Sequence, residues 1–90
     1  MPDFVGHGIS TEFHMPPAIP NYIDPQFNSA LERELHVGDT FTIEPMLTMG
    51  EGAYKILKDD WTVVTRDRSL AAQWEHTIGI TNSGYVIFTE

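Results

Sequence analysis

The first residues in the chain able to do chemistry are two histidines seven positions apart, His7 and His14 in G-H-G-I-S-T-E-F-H. An imidazole can ligate a metal, shuttle a proton or hold a hydrogen bond near neutral pH. Seven residues of straight strand would carry the pair roughly 23 Å apart at about 3.3 Å per residue, and an odd spacing would put them on opposite faces. A shared site therefore requires a bend, which Gly6 and Gly8 make easy because glycine tolerates backbone angles closed to other residues. Glu44 and Glu75 are the next candidates. Each sits in a strongly apolar, strand-like stretch, T-F-T-I-E and Q-W-E-H-T-I-G-I-T, with a threonine two positions away on the same face, Thr42 and Thr77. A lone glutamate on a strand is ordinarily a solvated outer-face residue, a reading that weakens when two strands carry the same polar face. One imidazole and two carboxylates without a thiolate form a hard-to-borderline set that suits Mn, Fe, Co or Zn. Spacing alone does not make them a site, since the three come from distant strands. Taken alone, His14 reads as an exposed or hydrogen-bonded histidine and Trp61 as plain core. His36, beside V-G-D, reads as a surface turn residue, and His76, on a face with Trp74 and Ile78, as a packing or hydrogen-bonding residue.

The elements that must position these groups are mostly strands. Phe27, Leu31 and Leu35 in Q-F-N-S-A-L-E-R-E-L recur at four-residue intervals and predict one short helix. Before it, M-P-P-A-I-P-N-Y-I-D-P holds four prolines, which deny backbone donors and predict a loop or a sheet edge. From Thr40 onward T-F-T-I-E, Y-K-I-L-K, W-T-V-V-T, A-A-Q-W-E-H-T-I-G-I-T and Y-V-I-F-T read as strands, rich in residues that suit a pleated surface. M-G-E-G, Asp59-Asp60 and N-S-G read as the turns between them. The expected fold class is α+β, mainly an antiparallel sheet with at most one short helix to cover it.

Composition narrows the functions available. Ninety residues allow one small domain, and 41% hydrophobic residues can build a core. Thirteen acids against five bases give a net charge of −8 with no dense basic cluster, which argues against nucleic acid as a partner. The chain has no cysteine, so disulfides, thiolate ligands and a cysteine nucleophile are excluded together. No stretch approaches the ~18 apolar residues of a membrane span, and the expectation is a soluble, cytoplasmic protein.

The motifs G-H-G-I-x-x-x-F-H, F-T-I-E-P-M and D-W-T-V-V-T-R-D-R-S-L-A-A-Q-W-E-H-T, in this order over nearly all 90 residues, resemble the C-terminal half of a type 1 methionine aminopeptidase. I-E-P-M and Q-W-E-H-T are the most specific parts. Pita-bread relatives with a proline preference have R-I-E-D or similar where this chain has W-E-H-T. The resemblance implies that residues 1–90 form a single partial domain, the C-terminal half of a pita-bread fold with a curved antiparallel sheet. It implies two divalent metal ions, with His7 and Glu44 as ligands of one and Glu75 bridging both, and Thr42 steadying the metal-bound water. It further implies His14 as a catalytic residue that hydrogen-bonds the scissile amide or the intermediate, and Phe13 and Trp61 as walls of a methionine side-chain pocket. Substrates would be peptides or nascent proteins beginning with methionine, and the partner an N-terminal half that carries two aspartate ligands and another histidine. Ser10, where the family usually has glycine, and Trp74, where it usually has phenylalanine or tyrosine, depart from the pattern without removing a ligand. The alternative of another class is a non-catalytic pita-bread protein that binds peptides or protein partners; such proteins tend to lose ligands, whereas all three positions are filled here.

Overall fold

Strand-forming residues in short runs, separated by glycine, proline and aspartate, produce nine short strands among the described residues. The computed structural model describes residues 4–23, 25 and 31–90. The strands are β1 (Gly6–Gly8), β2 (Met15–Ile19), β3 (Thr40–Ile43), β4 (Met46–Thr48), β5 (Tyr54–Ile56), β6 (Val63–Thr65), β7 (Ala71–Gln73), β8 (His76–Thr81) and β9 (Gly84–Ile87). Five of them form one sheet in the order β2-β1-β3-β8-β9, while β4 pairs with β7 and β5 with β6 in two separate ribbons. The proline-rich stretch is thus an edge strand, the place where missing N–H groups do least harm. The expected helix lies partly outside the described residues; Leu31 is helical, and residues 33–36 are irregular.

The β8–β9 hairpin turns on Asn82 and Ser83, with Thr81 opposite Gly84 and Gly84 at a φ of 140°, a conformation glycine supplies without strain. At the tip of the β5–β6 ribbon Asp60 takes a φ of 66°, and the Asp59 carboxylate gathers the turn around it. It accepts hydrogen bonds from the N–H groups of Trp61 (3.1 Å) and Thr62 (2.8 Å) and from the Thr62 hydroxyl. The Thr62 hydroxyl first, then the N–H groups of Thr62 and Trp61, hold this carboxyl below its usual value. Trp61 therefore belongs to a turn and not to the strand that follows. At 80% exposure it is not core.

Two dimensions show that the sheet is not wrapped. The surface is 6877 Å², against about 5,300 Å² for a compact monomer of this mass, and the radius of gyration is 14.7 Å, against about 12 Å. Among the described residues Phe41 is the one buried hydrophobic side chain of the core.

The centre of the sheet is nonetheless tight. A Cβ on Gly6 would stand 2.2 Å from the Thr42 carbonyl oxygen, and one on Gly8 2.4 Å from that of Pro16, both backbone atoms that cannot step aside. At Gly79 the obstacle is the Phe88 ring, 2.7 Å away but on a side chain 61% exposed and able to swing out. Gly6→Ala should accordingly lower stability by about 1–3 kcal/mol, the usual cost of overpacking, and Gly79→Ala by much less. Thermal midpoints of the two variants check this; equal losses would contradict it.

Candidate functional site

The hairpin between β1 and β2 is what brings the two histidines together. β1 ends at Gly8, the chain bends through residues 10–14, and β2 begins at Met15, directly opposite Gly8. A register irregularity between His7 and Gly8 adds to the turn. The His7 and His14 ring centres then lie 4.5 Å apart, with Phe13 at 4.4 Å from His14 and 5.8 Å from His7. Phe13 is 67% exposed and His14 is also exposed, so both are open to solvent and neither is packed in a core.

The carboxylates converge through strand register. β3 pairs with β8 as far as Ile43 opposite His76, and β4 pairs with β7 beginning at Met46 opposite Gln73. The register is the same on both sides of the gap, so one step beyond Ile43 and His76 stands Glu44 opposite Glu75, and then Pro45 opposite Trp74. Pro45 has no N–H to give the ladder. Two like charges placed directly opposite are destabilising in a sheet. A ribbon that breaks where it opposes two carboxylates departs from the local rule in the way functional sites do.

A third group faces this pair. His7 Nε2 lies 3.2 Å from Glu44 Oε1, and ligand atoms of His7, Glu44 and Glu75 all lie within 4.8 Å of one another. Thr42 ties the first two together. Its hydroxyl accepts the His7 N–H at 3.0 Å and donates to Glu44 Oε1 at 3.2 Å, and at 1% exposure it is sealed from solvent. Its strand partner is Thr77, so the two threonine–glutamate pairs seen in the sequence lie side by side on one face. With one hydrogen bond accepted and one donated, the Thr42 hydroxyl keeps a second lone pair free. On the far side of the His7 ring, Nδ1 is 3.0 Å from the Gly8 carbonyl oxygen. A carbonyl can only accept, so Nδ1 carries the proton, and Nε2 is the atom left to ligate a metal ion alongside Glu44.

This donor set fits a divalent cation. Ligand atoms held at about 2.1 Å from one ion stand roughly 3–3.5 Å apart, and His7 Nε2 and Glu44 Oε1 already do. Glu75 is the exposed, looser member. Trp61 is not part of the His7–Phe13–His14 cluster; its described hydrogen bond is the backbone one to Asp59. The features invisible in the sequence are the opposition of Glu44 and Glu75 and the bridging role of Thr42. Equal threonine–glutamate spacing in two strands was the available signal.

Residues 1–82 match metallopeptidase family M24. The chain belongs to that family. It is 47% identical over 87 residues to methionine aminopeptidase 2 of Mycobacterium tuberculosis and 45% identical over 87 residues to methionine aminopeptidase of Escherichia coli K12. Each match takes 97% of this chain but only 29% and 31% of the relative. The crystal structure of methionine aminopeptidase from Rickettsia prowazekii superposes with a TM-score of 0.84 at 46% identity, over 99% of this chain and 35% of that one. The Thermotoga maritima enzyme gives 0.86 at 42% identity, over 100% and 34%. The pita-bread fold is thereby shown, and the chain spans about a third of its relatives' length.

The opposed carboxylates give a signed prediction. In chelator, Glu75→Gln should raise the thermal midpoint slightly, by a few tenths of a kcal/mol since Glu75 is solvent-exposed. With Mn or Co added, the variant should lose most of the stabilisation that the unaltered protein gains. An undiminished metal-induced rise would exclude Glu75 as a ligand.

Proposed function

We propose that this chain is part of a methionine aminopeptidase that removes the initiator methionine from protein N-termini, and that His7, Glu44 and Glu75 are its share of the metal ligands. The observation that carries the reading is the glutamate pair opposed across the broken ribbon with His7 Nε2 turned toward it. In that reading the chain is one part of a catalytic domain, contributing three ligands of a two-ion centre. The remaining ligands belong to the two-thirds of the relatives' length that it does not span.

A divalent metal ion, when bound, supplies a nucleophile at neutral pH and polarises the scissile carbonyl. The chain's own residues do the rest. Thr42 fixes His7 and Glu44 relative to one another, and the Gly8 carbonyl fixes the His7 tautomer. Glu75 would supply the second carboxylate of the set that holds the two ions. His14, against the His7 ring, is a catalytic residue that hydrogen-bonds the amide to be cleaved. Phe13 and Trp61 are exposed aromatic surfaces suited to a thioether side chain, whose sulfur makes favourable contacts with ring edges. The cytoplasm, where nascent chains emerge, is the compartment this activity implies. The binding-protein alternative gains no support from the site, since every ligand position expected in this region is filled.

Two variants separate roles from packing, both made in the protein carrying its complete catalytic domain. His14→Ala should leave metal content intact while kcat falls by about 10²-fold or more, as when a positioned hydrogen-bonding group is lost. Normal turnover would refute the assignment. Trp61→Ala should reduce the kcat/KM preference for methionine over leucine peptides. With the side chain 80% exposed, it should scarcely shift the thermal midpoint, whereas truncating a core tryptophan costs about 3–5 kcal/mol. Unaltered selectivity would remove Trp61 from the substrate pocket.

A further inference from the structure

His7 and Glu44 are held by side-chain and carbonyl hydrogen bonds, but Glu75 makes no hydrogen bond among the described residues, and it sits in the gap between β7 and β8. Something else must hold that gap in place for Glu75 to reach the other two. On the strand face opposite Glu75, the Trp74 indole N–H donates to His76 Nε2 at 3.0 Å, with the two rings 6.1 Å apart and steeply inclined. Indole nitrogen can only donate, so Nε2 is the acceptor and Nδ1 carries the proton. Nδ1 in turn faces Thr89 Oγ1 at 3.4 Å, and the same oxygen accepts the Thr77 N–H at 2.9 Å. The Phe88 N–H completes the closure on the Thr77 carbonyl oxygen at 2.9 Å.

We infer that His76, clamped between Trp74 and Thr89, is the positioning residue for Glu75. The clamp spans the residues immediately before and after Glu75. Trp74 is tied to His76 across it, and His76 is anchored both to β3, opposite Ile43, and to the chain beyond β9. Adjacent residues on extended chain point to opposite faces, so fixing Trp74 and His76 on one face fixes the direction in which Glu75 leaves the other. Glu75 is thus aimed through the backbone, at a distance from the site, while its carboxylate stays free of competing partners. The inference rests on the proposed metal-binding role of Glu75.

The test is titration of the protein with Co(II), reading both the dissociation constant and the visible absorption of the bound ion, which reports ligand geometry. His76→Phe keeps a ring and removes both nitrogens; Thr89→Val keeps the shape and removes the hydroxyl. Each should weaken Co(II) about tenfold, the low end of the loss seen when supporting partners of metal ligands are removed, and alter the absorption. A residue that merely packs would leave affinity and spectrum unchanged in both. Glu75→Gln runs beside them. If Glu75→Gln weakens binding while either other variant binds and absorbs like the unaltered protein, the clamp is refuted and the metal site stands. If Glu75→Gln itself binds normally, the metal-binding reading fails and the clamp with it.

Discussion

Two carboxylates facing each other across an antiparallel ribbon set the terms for everything around them. Glu44 and Glu75 occupy paired positions that a sheet ordinarily denies to like charges, and the strands part there into β3/β8 on one side and β4/β7 on the other. The opposition calls for a positive charge between the two, and His7, with Nε2 3.2 Å from Glu44 Oε1, stands where it would share a divalent cation with them. Bringing His7 there demands that β1 lie hard against β3. That approach leaves no room for a side chain on Gly6 and lets the His7 N–H reach the Thr42 hydroxyl. The tight centre of the sheet and the electrostatics of the site are therefore one constraint.

The sequence discloses the parts of this arrangement that depend on local pattern. Glu44 and Glu75 are legible because each follows or precedes a threonine by two residues, and period-two alternation puts both pairs on one face. The hairpin that unites His7 and His14 is legible as a need for a bend, though only the structure supplies it. The proline-rich stretch reads correctly as an edge. Register is not legible: the pairing of Glu44 with Glu75 is set by ladders whose strands lie far apart in sequence, and shifting either by one residue would turn a glutamate away. M-L-T and A-A-Q carry too little alternation to announce β4 and β7. Trp61 misleads because the rule that tryptophans are buried assumes a second layer, and Asp59 captures the residue in a turn instead.

Burial follows the same logic. With Phe41 as the one buried hydrophobic core side chain among the described residues, and Trp74 at 71% and Tyr85 at 68% exposure, the face opposite the site is apolar and open. Its order comes from backbone pairing and from hydrogen-bonded side chains such as the Trp74–His76–Thr89 chain. Polar restraint stands in for packing in the part of the sheet that aims Glu75.

The two margins of the five-stranded sheet differ in kind. β2 contains Pro16 and Pro17, which have no N–H to offer a ladder, whereas β9 runs G-Y-V-I without proline or charge and ends the sheet among the described residues. Growth by strand addition requires an acceptor margin at each end of every unit. A sheet with one receptive margin and one proline-bearing margin offers β9, and not β2, as the template for an added strand.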